Sequence, residues 1–133
     1  MERTYIMLKP DALKRNLIGE VICRIEKKGY KIVDVKMTTL NESILNEHYS
    51  HIADKPFFSE IVTYMTSGPV LAMIVEGENA VAGMRILMGA TKFEEAASGT
   101  IRGDYAISTS ENIIHGSDSI ENAEIEIKRF FNN

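Results

Sequence analysis

A single histidine, His115, stands between two isoleucines and the small polar run Gly116-Ser117-Asp118-Ser119. Ile113 and Ile114 favour burial in a strand, while the residues after Gly116 suit the start of a helix. The histidine therefore falls at a strand-to-helix junction, close to helix amides that attract anions. Gly116 would permit a tight turn or the close approach of a ligand. A neutral imidazole there can act as a nucleophile without a separate base. The same context suits a buried histidine that bonds a backbone carbonyl, and the residues alone leave both readings open. Lys9 ends a strand-like run beside Pro10 and Asp11, where a turn lysine is ordinarily solvated. Arg85 lies between Met84 and Ile86 on a helical stretch, where its stem can cover apolar neighbours. Thr91 and Arg102 fall in a long irregular segment, and such segments in compact domains often carry function. His48 and His51 have a spacing that could join a metal site, but no cysteine or third histidine stands near them. Tyr49 and Phe57 flank Asp54-Lys55-Pro56, either as core filler or as a platform for a flat base. Glycine-rich phosphate loops and zinc-spaced Cys/His arrays are absent from the sequence.

The elements that must position these residues follow from periodicity. Thr4 to Leu8 reads as a first strand ended by a Lys-Pro-Asp turn. Ile18, Val21, Ile22 and Ile25 form a helical stripe closed by Gly29. Val33, Val35 and Met37 alternate with Asp34 and Lys36, the pattern of a half-buried strand. Residues 43–52 and 57–67 read as two helices, the second stopped by Ser67-Gly68-Pro69. Val70 to Val75 is an unbroken apolar run that predicts a buried strand, and a helix over 79–88 turns Val81, Met84, Leu87 and Met88 inward up to Gly89. Residues 90–111 are expected to be irregular, and Asn112 to His115 to form a short strand. A last helix starts near Asp118 or Ser119 with Asp118 and Glu121 as a capping box, burying Ile120, Ala123, Ile127 and Phe131. The order gives an α+β fold: a ferredoxin-like βαββαβ antiparallel sheet with helices packed on one face.

The chain has 133 residues, 44% of them hydrophobic and 26% charged, which fits a single domain over 1–133 with its own core. No apolar run is long enough for a membrane span and no secretory leader is visible, so a cytoplasmic, membrane-free protein is expected. The lone Cys23 sits among helical neighbours and reads as packing rather than redox chemistry. A net charge of −4 argues against nucleic acid as the main partner, because such binding leans on a basic surface. It leaves room for a small anionic ligand held by a few converging cations.

Taken together, Lys9-Pro10-Asp11, His48-Tyr49, Lys55-Pro56-Phe57-Phe58, Met65-Thr66-Ser67-Gly68-Pro69, Gly89-Ala90-Thr91, Gly99-Thr100-Ile101-Arg102-Gly103-Asp104 and Asn112-Ile113-Ile114-His115-Gly116-Ser117-Asp118-Ser119 resemble the nucleoside diphosphate kinase family, in that order and over nearly the whole chain. The resemblance implies ping-pong transfer of the γ-phosphoryl group from a nucleoside triphosphate such as ATP to a diphosphate such as GDP, through a phosphohistidine on His115. It implies that Arg85, Thr91 and Arg102 hold phosphates, that Lys9 reaches the sugar and phosphate oxygens with Asn112 on the sugar, and that Phe57 stacks on the base. Tyr49 would order the site, while Glu126 and Ser117 would orient the histidine. The implied cofactor is Mg²⁺, held mainly by the nucleotide phosphates and not by protein ligands. The implied assembly is a homo-oligomer, a tetramer or hexamer built from dimers.

Three departures from the family pattern stand out. Lys92-Phe93 replaces a common Asn-Pro and Ser98 a common proline, both in a loop that helps pack subunits in this family. With the early stop at Asn133, they imply a weaker assembly. Ala12 replaces a frequent glycine and needs only ordinary backbone angles. A non-catalytic nucleotide-binding module on the same scaffold is the rival reading, and it predicts a degraded nucleophile or phosphate set.

Overall fold

The computed structural model describes residues 1–131. Its sheet holds β1 (Glu2–Leu8), β2 (Lys31–Thr38), β3 (Val70–Gly77) and β4 (Ile114–Gly116), in the order β2-β3-β1-β4. Every neighbouring pair runs antiparallel. The helices are α1 (Pro10–Lys14), α2 (Ile18–Lys28), α3 (Glu42–His48), α4 (Phe58–Met65), α5 (Ala80–Met88), α6 (Ile101–Tyr105) and α7 (Ile120–Phe131), with a single 3₁₀ turn at Phe93–Glu95. The ferredoxin-like core is β1-α2-β2-β3-α5-β4.

The expectation that helices cover one face of the sheet needs correction, because both faces are covered. Ile6, Leu8, Met73 and Val75 point into a core with Val21 and Ile25 of α2 and Met84 and Met88 of α5. Tyr5, Met7 and Ala72 point the other way, into a second core with Leu45, Phe58, Met65 and Phe130 from α3, α4 and α7. Alternate residues of a strand face opposite sides, so a strand buried on both must be apolar throughout. That is why Val70 to Val75 carries no polar interruption.

Several local expectations are also corrected. The Lys-Pro-Asp turn opens a short helix, with Pro10 at its first position where the missing N–H costs nothing. Ala12 lies buried within it, at ordinary helical angles. Residues 90–111 are not wholly irregular: they hold α6, capped by Thr100, whose hydroxyl accepts from the Gly103 amide at 2.9 Å. The helix at the carboxyl end is capped by Ser119, whose Oγ accepts from the Asn122 amide at 3.0 Å, and not by Asp118 with Glu121. Its buried face is Ala123 and Phe130, while Ile120 is exposed. Val35 and Met37 do share a sheet face with Met73 and Leu71, their partners across the ladder. They remain 48% and 58% exposed because β2 is the edge of the sheet. No helix among the described residues is long and apolar enough to cross a membrane.

Candidate active site

Two adjoining hollows of about 550 Å³ and 540 Å³ share Lys9, Tyr49, Thr91 and Asn112 in their walls. They form one cleft with two chemically different ends. Phe57, Ile61, Tyr64 and Met65 give the first end aromatic and apolar walls. Arg85, Arg102, His115 and Glu126 make the other end polar. Phe57 is 47% exposed at the first end, a flat ring open to the cleft and not core filler.

His115 is held from below by α7. Its Nε2 lies 3.1 Å from Glu126 Oε1, and the Ser117 hydroxyl donates to that same oxygen at 2.6 Å. Ser117 is in turn fixed by β1, accepting from the Tyr5 amide at 3.3 Å. Burial pushes the Glu126 carboxyl up, but the hydrogen bonds from His115 and Ser117 and the nearby imidazole charge outweigh it and hold the group below its usual range. An ionised carboxylate can only accept, so Nε2 carries the proton and the lone pair of the neutral ring is on Nδ1. The open reading of a histidine satisfied by a backbone carbonyl is therefore set aside: its partner is a carboxylate, and the ring borders the cleft.

The backbone that carries the ring is strained. Ile113 has a φ of +77°, a conformation that costs a β-branched residue about 1–3 kcal/mol. The Ile114 amide donates to the Asn112 carbonyl at 2.8 Å, closing a three-residue turn around it. Gly116 lies in β4 and not in a turn, and it borders the polar end of the cleft. A Cβ there would come within 2.7 Å of the Met88 sulfur, so the glycine lets α5 pack against β4.

The cations gather from separate elements. Arg102 donates to the Gly89 carbonyl at 2.9 Å and the Ile114 carbonyl at 2.6 Å, joining the end of α5 to β4. Burial, with Arg85 close by, lowers its pKa to about 10, which still leaves it fully charged at neutral pH. Lys9 donates to Asn112 Oδ1 at 2.8 Å, and burial and the charge of Arg102 lower its pKa to about 8. The Asn112 amide donates onward to the Thr109 carbonyl at 2.9 Å. Arg85 and Thr91 are exposed on the cleft walls. Burial raises the Tyr49 hydroxyl to about 12, so it stays protonated as a donor between the two ends. Every candidate thus lines the cleft except Ser117, which braces Glu126 from behind.

Sequence reasoning missed a second layer. His48 and His51 do not act as a pair: His51 is exposed, while His48 is buried edge-on against His115 with ring centroids 4.8 Å apart. Its signal was weak, a histidine three positions after Leu45 on the inner face of α3. His48, His115 and Glu126 bring ligand-type atoms within 4.8 Å of one another. Arg129 lies 2.9 Å from His48 Nδ1. A guanidinium only donates, so Nδ1 is the acceptor and Nε2 bears the proton. Burial, the charge of His115 and that of Arg129 lower the His48 pKa to about 3 against the pull of Glu126.

Comparison with known proteins bears on the whole of this arrangement. The family model for nucleoside diphosphate kinase matches residues 2–133. A nucleoside diphosphate kinase of Exiguobacterium sibiricum is 53% identical over 131 residues, 98% of this chain and 95% of the relative. The enzyme of Staphylococcus epidermidis is 54% identical over 98% of this chain and 88% of its own. Among solved structures, the apo nucleoside diphosphate kinase of Encephalitozoon cuniculi superposes with a TM-score of 0.96 at 52% identity, covering 100% of this chain and 90% of that one. The halophilic enzyme of Halobacterium salinarum, solved in complex with CDP, gives 0.94 at 48% identity over 99% and 88%. The fold and these matches along nearly the full length agree, and the chain belongs to the nucleoside diphosphate kinase family of phosphotransferases.

Proposed function

We propose that this protein moves the γ-phosphoryl group of a nucleoside triphosphate to a nucleoside diphosphate in two half-reactions at the one cleft, with His115 carrying the group between them. The observation that supports this most strongly is the Glu126–His115 contact, because it leaves an unprotonated Nδ1 as nucleophile. In the first half-reaction the Nδ1 lone pair attacks the γ-phosphorus, the bond to the β-phosphate oxygen breaks, and the diphosphate leaves. In the second, a terminal oxygen of the incoming diphosphate attacks the phosphorus, the P–N bond breaks, and the lone pair returns to Nδ1. The ring is cationic while phosphorylated, and Glu126 offsets that charge. Lys9, Arg85 and Arg102 offset the charge of the phosphates, with the Thr91 hydroxyl as a further donor. Phe57 stacks on the base, a contact that tolerates any base, and Asn112 with Lys9 meets the sugar. Tyr49 keeps a donor between sugar and phosphate.

The donor set fits Mg²⁺ brought in on the nucleotide. Of the carboxylates at the polar end of the cleft, Glu126 is taken by His115 and Ser117, Glu47 pairs with Arg129, and Asp118 accepts from Asn122. When bound, Mg²⁺ supplies charge compensation and orients the phosphates for in-line displacement. We also place the protein in the cytoplasm, acting as one domain and as a homo-oligomer built from dimers. The exposed Val35 and Met37 on edge strand β2 supply an apolar surface for a second copy.

Initial rates test the cycle directly. With ATP varied at several fixed GDP concentrations, double-reciprocal plots give parallel lines if the phosphoryl group rests on the enzyme. Intersecting lines would mean that both nucleotides bind together, and the reading would fail.

A further inference from the structure

We infer that Asp11 is a positioning residue for this reaction: its carboxylate fixes the strained turn at Ile113 from which Asn112 and His115 project into the cleft. The inference rests on the phosphotransfer reading above and extends it to a residue that lines neither end of the cleft.

Asp11 is 5% exposed in α1, and a buried carboxylate is costly unless it is fully bonded. Here both oxygens have partners. Oδ2 accepts from the Ile113 amide at 3.1 Å, and Oδ1 accepts from the hydroxyl of Tyr64 on α4. Ile113 is the residue least suited to its backbone, a β-branched side chain at positive φ. Its carbonyl accepts from the Lys9 amide at 2.8 Å, so the segment from Lys9 to Asp11 grips both polar groups of the strained residue. Without the carboxylate, the Ile113 amide is buried without a partner and the turn can relax toward ordinary extended angles. That relaxation turns the peptide leading into Ile114, whose carbonyl holds Arg102, and displaces the ring of His115 one residue on. Tyr64 also walls the apolar end of the cleft. Burial and the Asp11 carboxylate drive its hydroxyl well above its usual range, so it remains a donor. Asp11 therefore joins the apolar wall, the phosphate-end lysine segment and the nucleophile's turn.

Single-turnover phosphorylation by ATP and Mg²⁺, measured beside ATP affinity by calorimetry, tests this in wild type, Asp11→Ala, Asp11→Asn and Tyr64→Phe. Misplacement of a reacting group by about an ångström costs about 100-fold, so Asp11→Ala should phosphorylate about 100-fold more slowly while its ATP Kd stays within about threefold. Asp11→Asn can still accept from Ile113 and donate to the Tyr64 oxygen, and should recover to within about fivefold of wild type. A folded Asp11→Ala with a lowered Tm and a wild-type rate would make Asp11 structural only and overturn the inference. So would an Asp11→Asn variant as slow as the alanine. If Asp11→Ala does not fold, Tyr64→Phe decides, since it frees the carboxylate to turn: slowing of about three- to tenfold at unchanged ATP Kd supports the role, and a wild-type rate overturns it. A wild-type protein that takes no phosphoryl group would overturn the functional reading, and the positioning role with it.

Discussion

One oxygen of Glu126 accepts from both His115 and Ser117, so the carboxylate chooses the tautomer of the ring as well as its direction. Glu126→Gln keeps the shape but can turn an N–H toward Nε2, which would leave the lone pair there and protonate Nδ1. By analogy with catalytic histidines held in the wrong tautomer, kcat should fall by about 10² to 10⁴, with nucleotide affinity little changed. Steady-state kinetics and a nucleotide titration check this; an unaltered kcat would remove Glu126 from the orienting role. His48 gives a prediction about stability. Its folded pKa of about 3 lies below the ordinary value of 6.5, so the unfolded chain binds more protons between these limits. Stability is therefore whole above about pH 6.5 and declines as pH falls, by about 2 kcal/mol between pH 7 and pH 5 from this residue alone. Urea unfolding at both pH values should show that loss in wild type, and about 2 kcal/mol less of it in His48→Gln, which still accepts from Arg129 but does not titrate. An equal loss in both would locate the proton elsewhere. At this scale the neighbours of His115 marked it as a candidate but left its role open, whereas Glu126 was not marked at all: in sequence it is one of three glutamates in the last helical stretch, and only the fold brings it under the ring.

Among the elements, β2 shows what local pattern can and cannot tell. The alternation of Val35 and Met37 did mark one face, and the ladder places both beside Met73 and Leu71. Burial was not legible, because it depends on which helix reaches the edge of the sheet, a matter of tertiary layout. The extra residue between Ile32 and Asp34 adds to this: the register shift puts Ile32 with Val35 and Met37 and turns Lys36 to the other face, where its ammonium donates to the Phe130 carbonyl. An exposed apolar edge is a surface for a second copy in the proposed assembly. Met37→Lys should shift the protein to smaller species on dilution while leaving the monomer fold intact. Light scattering with far-UV circular dichroism would check it, and an assembly that survives at the lowest concentrations would put the contact elsewhere. The last helix was placed correctly, and Ala123, Ile127 and Phe131 do pack inward, but its most buried aromatic is Phe130, which stacks on Tyr5 with centroids 4.6 Å apart while Phe131 meets the same ring edge-on. A charged helix with apolar residues scattered around it leaves its inward face to the sheet it meets.

For the whole molecule, the sheet is clad on both sides, and the second layer exists because the chain leaves the ferredoxin-like path twice, at α3–α4 and at α7. Those departures bring Tyr49, Phe57, His48 and Glu126 to the cleft, whereas β1, α5 and the turn before β4 bring Lys9, Arg85 and His115. The order along the chain of the strands and longer helices was readable from periodicity, since each carries its own apolar signature, whereas the five-residue α1 and α6 are too short to show one. The site as a constellation was not, because Lys9 and Asn112 meet across 103 positions of chain. What made it readable was the resemblance of its motifs to a family, and the cleft gathers at least one residue from each of them. The measurement that bears most directly on the account is the mass of the intact protein after mixing with ATP and Mg²⁺ and removal of nucleotide, followed by a chase with GDP. The proposed cycle predicts a gain of one acid-labile phosphoryl group, its absence in a folded His115→Ala, and its recovery as GTP after the chase. No gain in mass by a protein that binds ATP would contradict the account, and a nucleotide-binding module without transfer would take its place.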